Sequence, residues 1–151
     1  MSTRRERKYA LDSNVFIDAF RNDQRGAELE AFHAAFAPFE YLSAVVAMEL
    51  RAGVRGTAAT KLEQHVLEPF ERRGRVVTPS YAAWRAAGEV LAAVRGRGDS
   101  RVMMTGFAND VLLALSCREA GITVVTSNRR DFERIARETD CDFVEPWPAP
   151  R

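Results

Sequence analysis

Short apolar runs alternate along the chain with longer stretches in which apolar residues recur at helical spacing. The runs are found in KYALD, EYLSA, RVVTP, ITVVTSN and CDFVE, and they predict four strands and, near the C-terminus, a fifth. Because helical stretches rather than hairpin turns separate them, the pattern is typical of a parallel sheet with helices on both faces. We therefore predict the α/β class, as a three-layer α/β/α fold with a central parallel sheet of four or five strands.

Residues with strong positional preferences mark the expected helix ends. Ser80 is expected to cap the helix after the third strand, and Gly53 and Gly121 are expected to close helices as C′ residues. The helical pattern around Pro69 continues despite the proline. Residues 98–106 are predicted to form a loop, with a buried helix beginning just after it.

Length and charge narrow the possibilities further. The 151 residues predict a single domain, residues 1–151, with a short C-terminal tail from about residue 146. Lys and Arg total 22 against 21 for Asp and Glu, so the formal charge is only +1. This balance argues against a strongly basic protein that coats nucleic acid, but it is compatible with a local basic patch.

Cysteine use and apolar segment length indicate the compartment. Cys117 and Cys141 belong to no Cys/His cluster with zinc spacing, which favours a reducing cytoplasm. The basic start MSTRRERK resembles a signal peptide, but Asp12 interrupts the apolar run that follows. No segment approaches the roughly 20 apolar residues that a membrane helix needs. We therefore expect a cytoplasmic protein that does not associate with membranes.

Four polar positions are expected at the carboxyl ends of the strands, where parallel α/β sheets bind ligands. Asp12 ends the first strand and Asn128 follows the fourth, while Glu49 and Asp110 are expected near the starts of helices. Taken singly, Asp110 would suit the positive end of its helix, and Asn128 would form a capping-box-like pair with Asp131. Taken together, the oxygens of positions 12, 49 and 110 are expected to converge on one spot the size of an ion.

Asp12 and Glu49 also have purely structural explanations. Asp12 or Asn14 could accept hydrogen bonds from backbone N–H groups at the start of the first helix. Glu49 shares a helix face with apolar and small residues, where an ionised carboxylate is costly unless it is paired. Its partner could be Arg51 or Arg55, although neither lies on that face, so a functional role for Glu49 is favoured.

A cluster of carboxylates favours a bound cation. Two carboxylates about 4 Å apart repel each other by about 4 kcal/mol at an effective dielectric constant near 20. Oxygen ligands without cysteine or histidine suit Mg²⁺ or Mn²⁺. His33 and His65 lie in helical patterns away from these positions and are interpreted as structural or surface residues. The sequence therefore predicts a Mg²⁺ or Mn²⁺ site.

In this order, the segments LDSNVFID, LSAVVAMELRAG and NDVLLALSCREAGITVVTSNRRDF resemble the PIN-domain nucleases, especially the VapC-type toxin ribonucleases. The resemblance spans Tyr9 to about Phe143. It implies a PIN-like fold, an acidic pocket for one or two Mg²⁺ or Mn²⁺ ions, and hydrolysis of phosphodiester bonds in RNA. It also implies a VapB-like antitoxin, as in type II VapBC systems, and a homodimer.

The resemblance assigns roles position by position. Asp12, Glu49 and Asp110 match the three catalytic and metal-binding acids. The next functional position is often Asp in the family but is Asn128 here, with Asp131 close behind, so either could be the fourth site residue. The supporting positions, which would brace the loop at the first acid, are Ser13, Asn14 and Thr126.

Basic side chains around the cleft could guide RNA phosphates. Arg129 and Arg130 are the favoured candidates because the fourth strand places them near the rim. The less favoured candidates are Arg4, Arg5, Arg7, Lys8, Arg95, Arg97 and Arg101.

Three other functions compete with a ribonuclease. The main alternative is a catalytically inactive PIN-like module that binds RNA or protein. Asn128 supports this alternative because the family often has Asp at that position. A phosphatase of the haloacid dehalogenase type is disfavoured because Asn14 stands where the second acid is needed. A response-regulator receiver is disfavoured because the third strand ends in Thr78 and Pro79 rather than in an aspartate.

Overall fold

The computed structural model describes residues 6–100 and 105–149. In that part of the chain, five parallel strands form a sheet in the order β3-β2-β1-β4-β5. The strands are β1 (Lys8–Leu11), β2 (Glu40–Ser43), β3 (Val76–Val77), β4 (Ile122–Val125) and β5 (Phe143–Val144). This arrangement confirms the predicted parallel α/β sheet.

Helices connect the strands and cover the sheet. They are α1 (Ser13–Arg21), α2 (Asp23–Phe36), α3 (Ala44–Gly53), α4 (Thr57–Leu62), α5 (Glu68–Arg72), α6 (Tyr81–Gly96), α7 (Thr105–Ala120) and α8 (Arg129–Glu138). A short 3₁₀ helix, Ala37–Phe39, precedes β2. Among the described helices, none combines the length and the apolar character that crossing a membrane requires.

The two central strands bring the first and fourth strand ends together. β1 and β4 pair in parallel from Lys8 opposite Ile122 to Leu11 opposite Val125. All four residues of β4 are buried, as is expected when helices cover both faces of a sheet. The residues that follow these strands, at positions 12 and 126, therefore emerge side by side at the carboxyl edge.

The buried helix α7 begins earlier than the sequence pattern predicted. Thr105 and Gly106, which were expected in a loop, are already helical. Asp110 is the sixth described residue of α7 and does not lie in its first turn. The prediction that Asp110 interacts with the positive end of the helix dipole is therefore wrong. The helix is buried without a break from Asp110 to Cys117, because it packs inside the molecule rather than on its surface.

The helix around Pro69 continues, as predicted, but it widens before the proline. Residues Glu63–Leu67 form a π-helical turn that joins α4 to α5, and Pro69 is the second residue of α5. A proline ring crowds the carbonyl group four residues earlier, here that of His65. A wider turn at that point accommodates the ring without ending the helix.

Two of the three predicted helix ends are confirmed. The Ser80 hydroxyl accepts a hydrogen bond from the Ala83 N–H at 3.1 Å. Gly121 follows α7 with φ of 68°, the left-handed conformation of a C′ residue. The prediction for Gly53 is wrong, because Gly53 is the last residue of α3 and the Val54 N–H closes the helix by donating to the Leu50 carbonyl.

We expect Gly121→Ala to destabilise the protein by about 1–2 kcal/mol, because a Cβ at positive φ collides with its own backbone. Gly53→Ala is the matched control: at both positions nothing lies within 4 Å of an added Cβ, but only Gly121 has a positive φ. Thermal unfolding should show a lower Tm for Gly121→Ala, and an equal or higher Tm for Gly53→Ala. Equal Tm values for the two variants would contradict this account of the helix end.

Candidate metal-dependent active site

Asp12 is fixed at the junction of the two central strands. It is 2% exposed, and its backbone N–H donates to the Val125 carbonyl at 2.9 Å. Its carboxylate accepts hydrogen bonds from the Ser13 N–H at 2.7 Å, the Thr126 hydroxyl at 2.8 Å and the Asn14 side-chain amide at 3.2 Å. Three donors from two strand ends therefore hold this carboxylate in one orientation.

Asn14 links the first helix to the loop after β4. Its amide nitrogen lies 3.3 Å from the Thr126 hydroxyl oxygen, and its side-chain oxygen accepts a hydrogen bond from the Ser127 N–H at 3.2 Å. Both the Asp12 side chain and its loop are therefore held from the β4 side. Asn14 itself makes no capping contact with α1 here, because its side chain faces the neighbouring loop.

Glu49 is half-buried in the second turn of α3, and not near the start of the helix as predicted. Its Oε1 atom is buried and has no hydrogen-bond partner in the described part of the chain. Arg51, one of the two ion-pair partners considered for Glu49, instead binds Glu63 at 2.5 Å and Glu71 at 2.7 Å. Burial, and then the negative charge of Asp12, raise the pKa of Glu49 above its ordinary value.

Asp110 is a buried acid whose pKa is strongly raised. It is 8% exposed, and burial raises its pKa to about 8, with further contributions from the charges of Asp12, Glu49 and Asp131. Burial also raises the pKa of Asp12, although the donors around it act in the opposite direction. The charges that act on Asp110 come from three other elements, so the four carboxylates lie close together.

Asn128 occupies the position before α8, but its side chain does not cap that helix. The amide group instead donates to Asp110 at 3.0 Å and to Asp131 at 3.0 Å. Its backbone N–H donates to the Thr126 hydroxyl at 3.0 Å. The predicted capping by Asn128 is therefore wrong: two acidic side chains at the site compete for its amide, and they outweigh a local contact.

The acids line one cavity of about 400 Å³ at the carboxyl edge of the sheet. Sequence reasoning missed two of its lining residues, Gly106 and Phe107, which lie four and three positions before Asp110 and so on the same helix face. Helical spacing from Asp110 could have found both. The complete lining is Asp12, Ser13, Asn14, Glu49, Gly106, Phe107, Asp110, Asn128 and Asp131.

The donor set of this cavity fits a hard divalent cation. Within residues 6–100 and 105–149, no three carboxylate, histidine or cysteine side chains are placed to hold a metal ion directly. The expected convergence therefore holds for one shared cavity, but not for three direct ligands. Mg²⁺ ordinarily binds through one or two carboxylates and keeps several of its waters, so it does not need such a set. The unpartnered Glu49 Oε1, and the three carboxylates whose charges raise the pKa of Asp110, leave negative charge for a cation to neutralise.

The predicted RNA-contact residues lie outside the cavity lining. Arg129 is exposed and pairs with Glu133 at 2.7 Å, and Arg130 is exposed in the first turn of α8. Arg97 pairs with Glu138 at 2.8 Å. Of the less favoured candidates, Arg4, Arg5 and Arg101 lie outside the described residues.

Comparison with known proteins places the chain in a family. The model of the PIN domain family matches residues 9–138. The chain is 27% identical over 147 residues to the plasmid stability protein StbB of Pseudomonas syringae pv. tomato, covering 92% of this chain and 98% of that protein.

Two solved structures show the same fold. FitAcB from Neisseria gonorrhoeae matches with a TM-score of 0.67 and 23% identity, over 93% of this chain and 99% of that one. DNA-bound VapBC from Salmonella typhimurium matches with a TM-score of 0.64 and 24% identity, over 93% and 98%. Since the family model covers most of the sequence, including every candidate acid, this chain belongs to the PIN domain family.

Proposed function

We propose that this protein is a Mg²⁺- or Mn²⁺-dependent endoribonuclease, the toxin of a type II VapBC toxin–antitoxin pair, and that it hydrolyses phosphodiester bonds in RNA. The observation that carries the proposal is the composition of the active-site cavity. Four carboxylates line it, and no basic side chain of the described residues does so. RNA phosphates would be repelled from such a cavity unless a cation reversed its charge.

In the proposed site, the cation would be held by Asp12, Glu49 and Asp110. When bound, Mg²⁺ or Mn²⁺ supplies positive charge for the scissile phosphate and lowers the pKa of a bound water. Asp12 provides a fixed anchor, because three donors orient it. Glu49 is suited to accept the proton of the attacking water, because its Oε1 has no donor in the described chain.

Asn128 positions the remaining acids rather than adding charge. By donating to both Asp110 and Asp131, its amide holds these two carboxylates at a fixed separation. An amide in place of a carboxylate lowers the negative charge that is available to bind a second cation. We therefore expect one tightly bound metal ion. Arg129 and Arg130, at the start of α8, are the proposed contacts for RNA phosphates outside the cavity.

The proposed partners follow from the relatives. The solved relatives are FitAcB from Neisseria gonorrhoeae and DNA-bound VapBC from Salmonella typhimurium. We propose a VapB-like antitoxin and a homodimer for this chain, acting in the cytoplasm. A catalytically inactive PIN-like binding module is the second candidate, because Asn128 replaces an acid and no three direct metal ligands are placed together in the described chain.

Purified protein should cleave a mixed RNA pool when Mg²⁺ or Mn²⁺ is present and should stop when EDTA is added. Sequencing of the 5′ ends of the fragments would identify the cut sites, and we expect ends that carry 5′-phosphate groups. A mixed DNA pool serves as the matched substrate control. Intact RNA with either metal ion, under conditions in which the protein remains folded, would favour the inactive binding module instead.

A further inference from the structure

A second cavity, of about 450 Å³, lies at the opposite edge of the sheet from the active site. Glu40, the first residue of β2, and Arg75, which directly precedes β3, contribute to its lining. The remaining walls come from α1, α2 and the widened helix between Thr57 and Arg72. Its volume lies within the range of small-ligand sites in proteins, and the proposed nuclease chemistry does not use it.

Glu40 is an unusually placed acid in the wall of this cavity. Its side chain is 3% exposed, and its Oε2 atom lies 2.6 Å from His33 Nδ1. The other oxygen, Oε1, is buried and has no hydrogen-bond partner in the described part of the chain. A buried polar atom without a partner costs about 1–3 kcal/mol, and more when the group is charged. The fold therefore retains an acceptor that a ligand entering the cavity could satisfy.

Two arginine side chains line the same cavity, and one of them also contacts other groups of the chain. The Arg75 guanidinium donates to the Ala37 carbonyl at 2.7 Å and lies 6.0 Å from the centre of the Tyr41 ring. Arg75 and Arg73 also line the cavity, so two guanidinium groups stand in the same space as the Glu40 carboxylate. A ligand that fits both features carries N–H donors at one end and oxygen acceptors at the other.

Apolar side chains form part of the remaining wall, beside Glu30 and His65, and suit a short hydrocarbon stem. Leu29 and Phe70 are buried, Val66 is half-buried, and Phe20 is 47% exposed at the same cavity. Apolar surface between an acidic and a basic group is the arrangement that an amphipathic cation, such as the side chain of arginine, covers along its length.

We propose that this cavity binds arginine, with the guanidinium on Glu40, the methylene stem on Phe20, Leu29 and Phe70, and the carbonyl or carboxylate oxygens toward Arg73 and Arg75. The arginine could be a free amino acid or a side chain presented by a polypeptide, since both carry the same group. This site is separate from the nuclease chemistry, and it stands or falls independently of it.

The test is an NMR titration of ¹⁵N-labelled full-length protein with L-arginine and, separately, with N-acetyl-arginine amide. We expect saturable shifts of the amide signals of residues 20, 33, 40 and 70. Tighter binding of L-arginine indicates a free amino-acid site, and equal or tighter binding of the blocked probe indicates a peptide side chain. Citrulline, which has the same shape without the charge, should bind at least tenfold more weakly.

Glu40→Gln should weaken arginine binding at least tenfold, while Glu68→Gln should leave it unchanged. Glu68 is exposed, belongs to the adjoining helix and does not line the cavity, so it undergoes the same charge change elsewhere. Repeating the titration with Asp110→Asn tests whether arginine binds to the acidic active site instead. Three results would overturn the proposal: no saturable shifts, shifts confined to residues 12, 110 and 128, or citrulline binding as tightly as arginine. A buried water that already satisfies Glu40 would give the first of these.

Discussion

Asp12→Asn is expected to reduce metal-dependent RNA cleavage at least about a hundredfold. Loss of a group that only supports a metal ligand costs up to about 100-fold, and Asp12 is itself a proposed ligand. The substitution removes a charge but hardly changes the shape of the side chain. An asparagine at this position can still accept the Ser13 N–H, but its NH₂ group would face the Thr126 hydroxyl and the Asn14 amide. Local hydrogen bonds are therefore lost, while the strands and helices that carry these residues should remain folded. The loss of a negative charge beside Asp110 and Glu49 should offset part of this cost in the metal-free protein.

Asp18→Asn is the matched control for this experiment. Asp18 lies on the same helix, α1, but it is exposed and does not line the active-site cavity. Its variant should cleave RNA at the wild-type rate under the same metal concentration, and Glu49→Gln should behave like Asp12→Asn. Undiminished cleavage by both the Asp12 and the Glu49 variants, with wild-type circular dichroism spectra, would refute the roles proposed for these acids.

The sheet could be predicted from sequence because its signals are local. β1, β2 and β4 are short apolar runs, and a parallel sheet covered on both faces favours such runs over alternation. The position of Asp12 follows directly, since a strand end needs no tertiary information. The helix end at Gly121 could also be predicted from local sequence, because a residue in the left-handed conformation after a helix is usually glycine.

The partners of the polar side chains could not be predicted in the same way. The local sequence predicts that Asn128 caps a helix. The packing of α7 against the loop after β4 instead brings Asp110 to 3.0 Å from the Asn128 amide. From the local sequence, Glu40 is an ordinary polar residue at the start of a strand. Nothing in that sequence indicates that its carboxylate will contact the His33 ring. Such contacts join residues from different elements, so periodicity carries no information about them.

The electrostatic state of the site depends on contacts that the sequence does not show. An isolated aspartate has a pKa near 4, whereas burial and three neighbouring acids raise the pKa of Asp110 to about 8. The same neighbours that would bind a cation therefore oppose ionisation when no cation is present. Metal binding, proton binding and stability must be linked at this site.

Asp110→Asn is expected to stabilise the metal-free protein at pH 8.5 by about 2 kcal/mol, or roughly 4–8 °C in Tm. The folded-state pKa of Asp110 is about 8 against an ordinary value of 3.8, so between these values the folded state holds a proton that the unfolded state releases. The free energy of unfolding of the wild type should therefore fall as pH rises through this range. At pH 5 Asp110 is protonated in the folded state and most of this loss has not yet occurred, so the Tm values of the variant and the wild type should be closer than at pH 8.5.

Adding Mg²⁺ or Mn²⁺ should reverse the order of the two proteins at pH 8.5. A cation at a hundredfold excess over its Kd adds about 2.7 kcal/mol to a folded state that binds it. The wild type should gain this stability, whereas Asp110→Asn, which lacks one of the proposed ligands, should gain much less. Thermal unfolding at pH 5 and 8.5, in EDTA and in metal, gives all four comparisons, with Asp18→Asn as the control for loss of an exposed acid. If the variant is no more stable than the wild type in EDTA at pH 8.5, ionised Asp110 does not destabilise the folded protein as proposed. A metal response equal to that of wild type would show that the cation binds without Asp110.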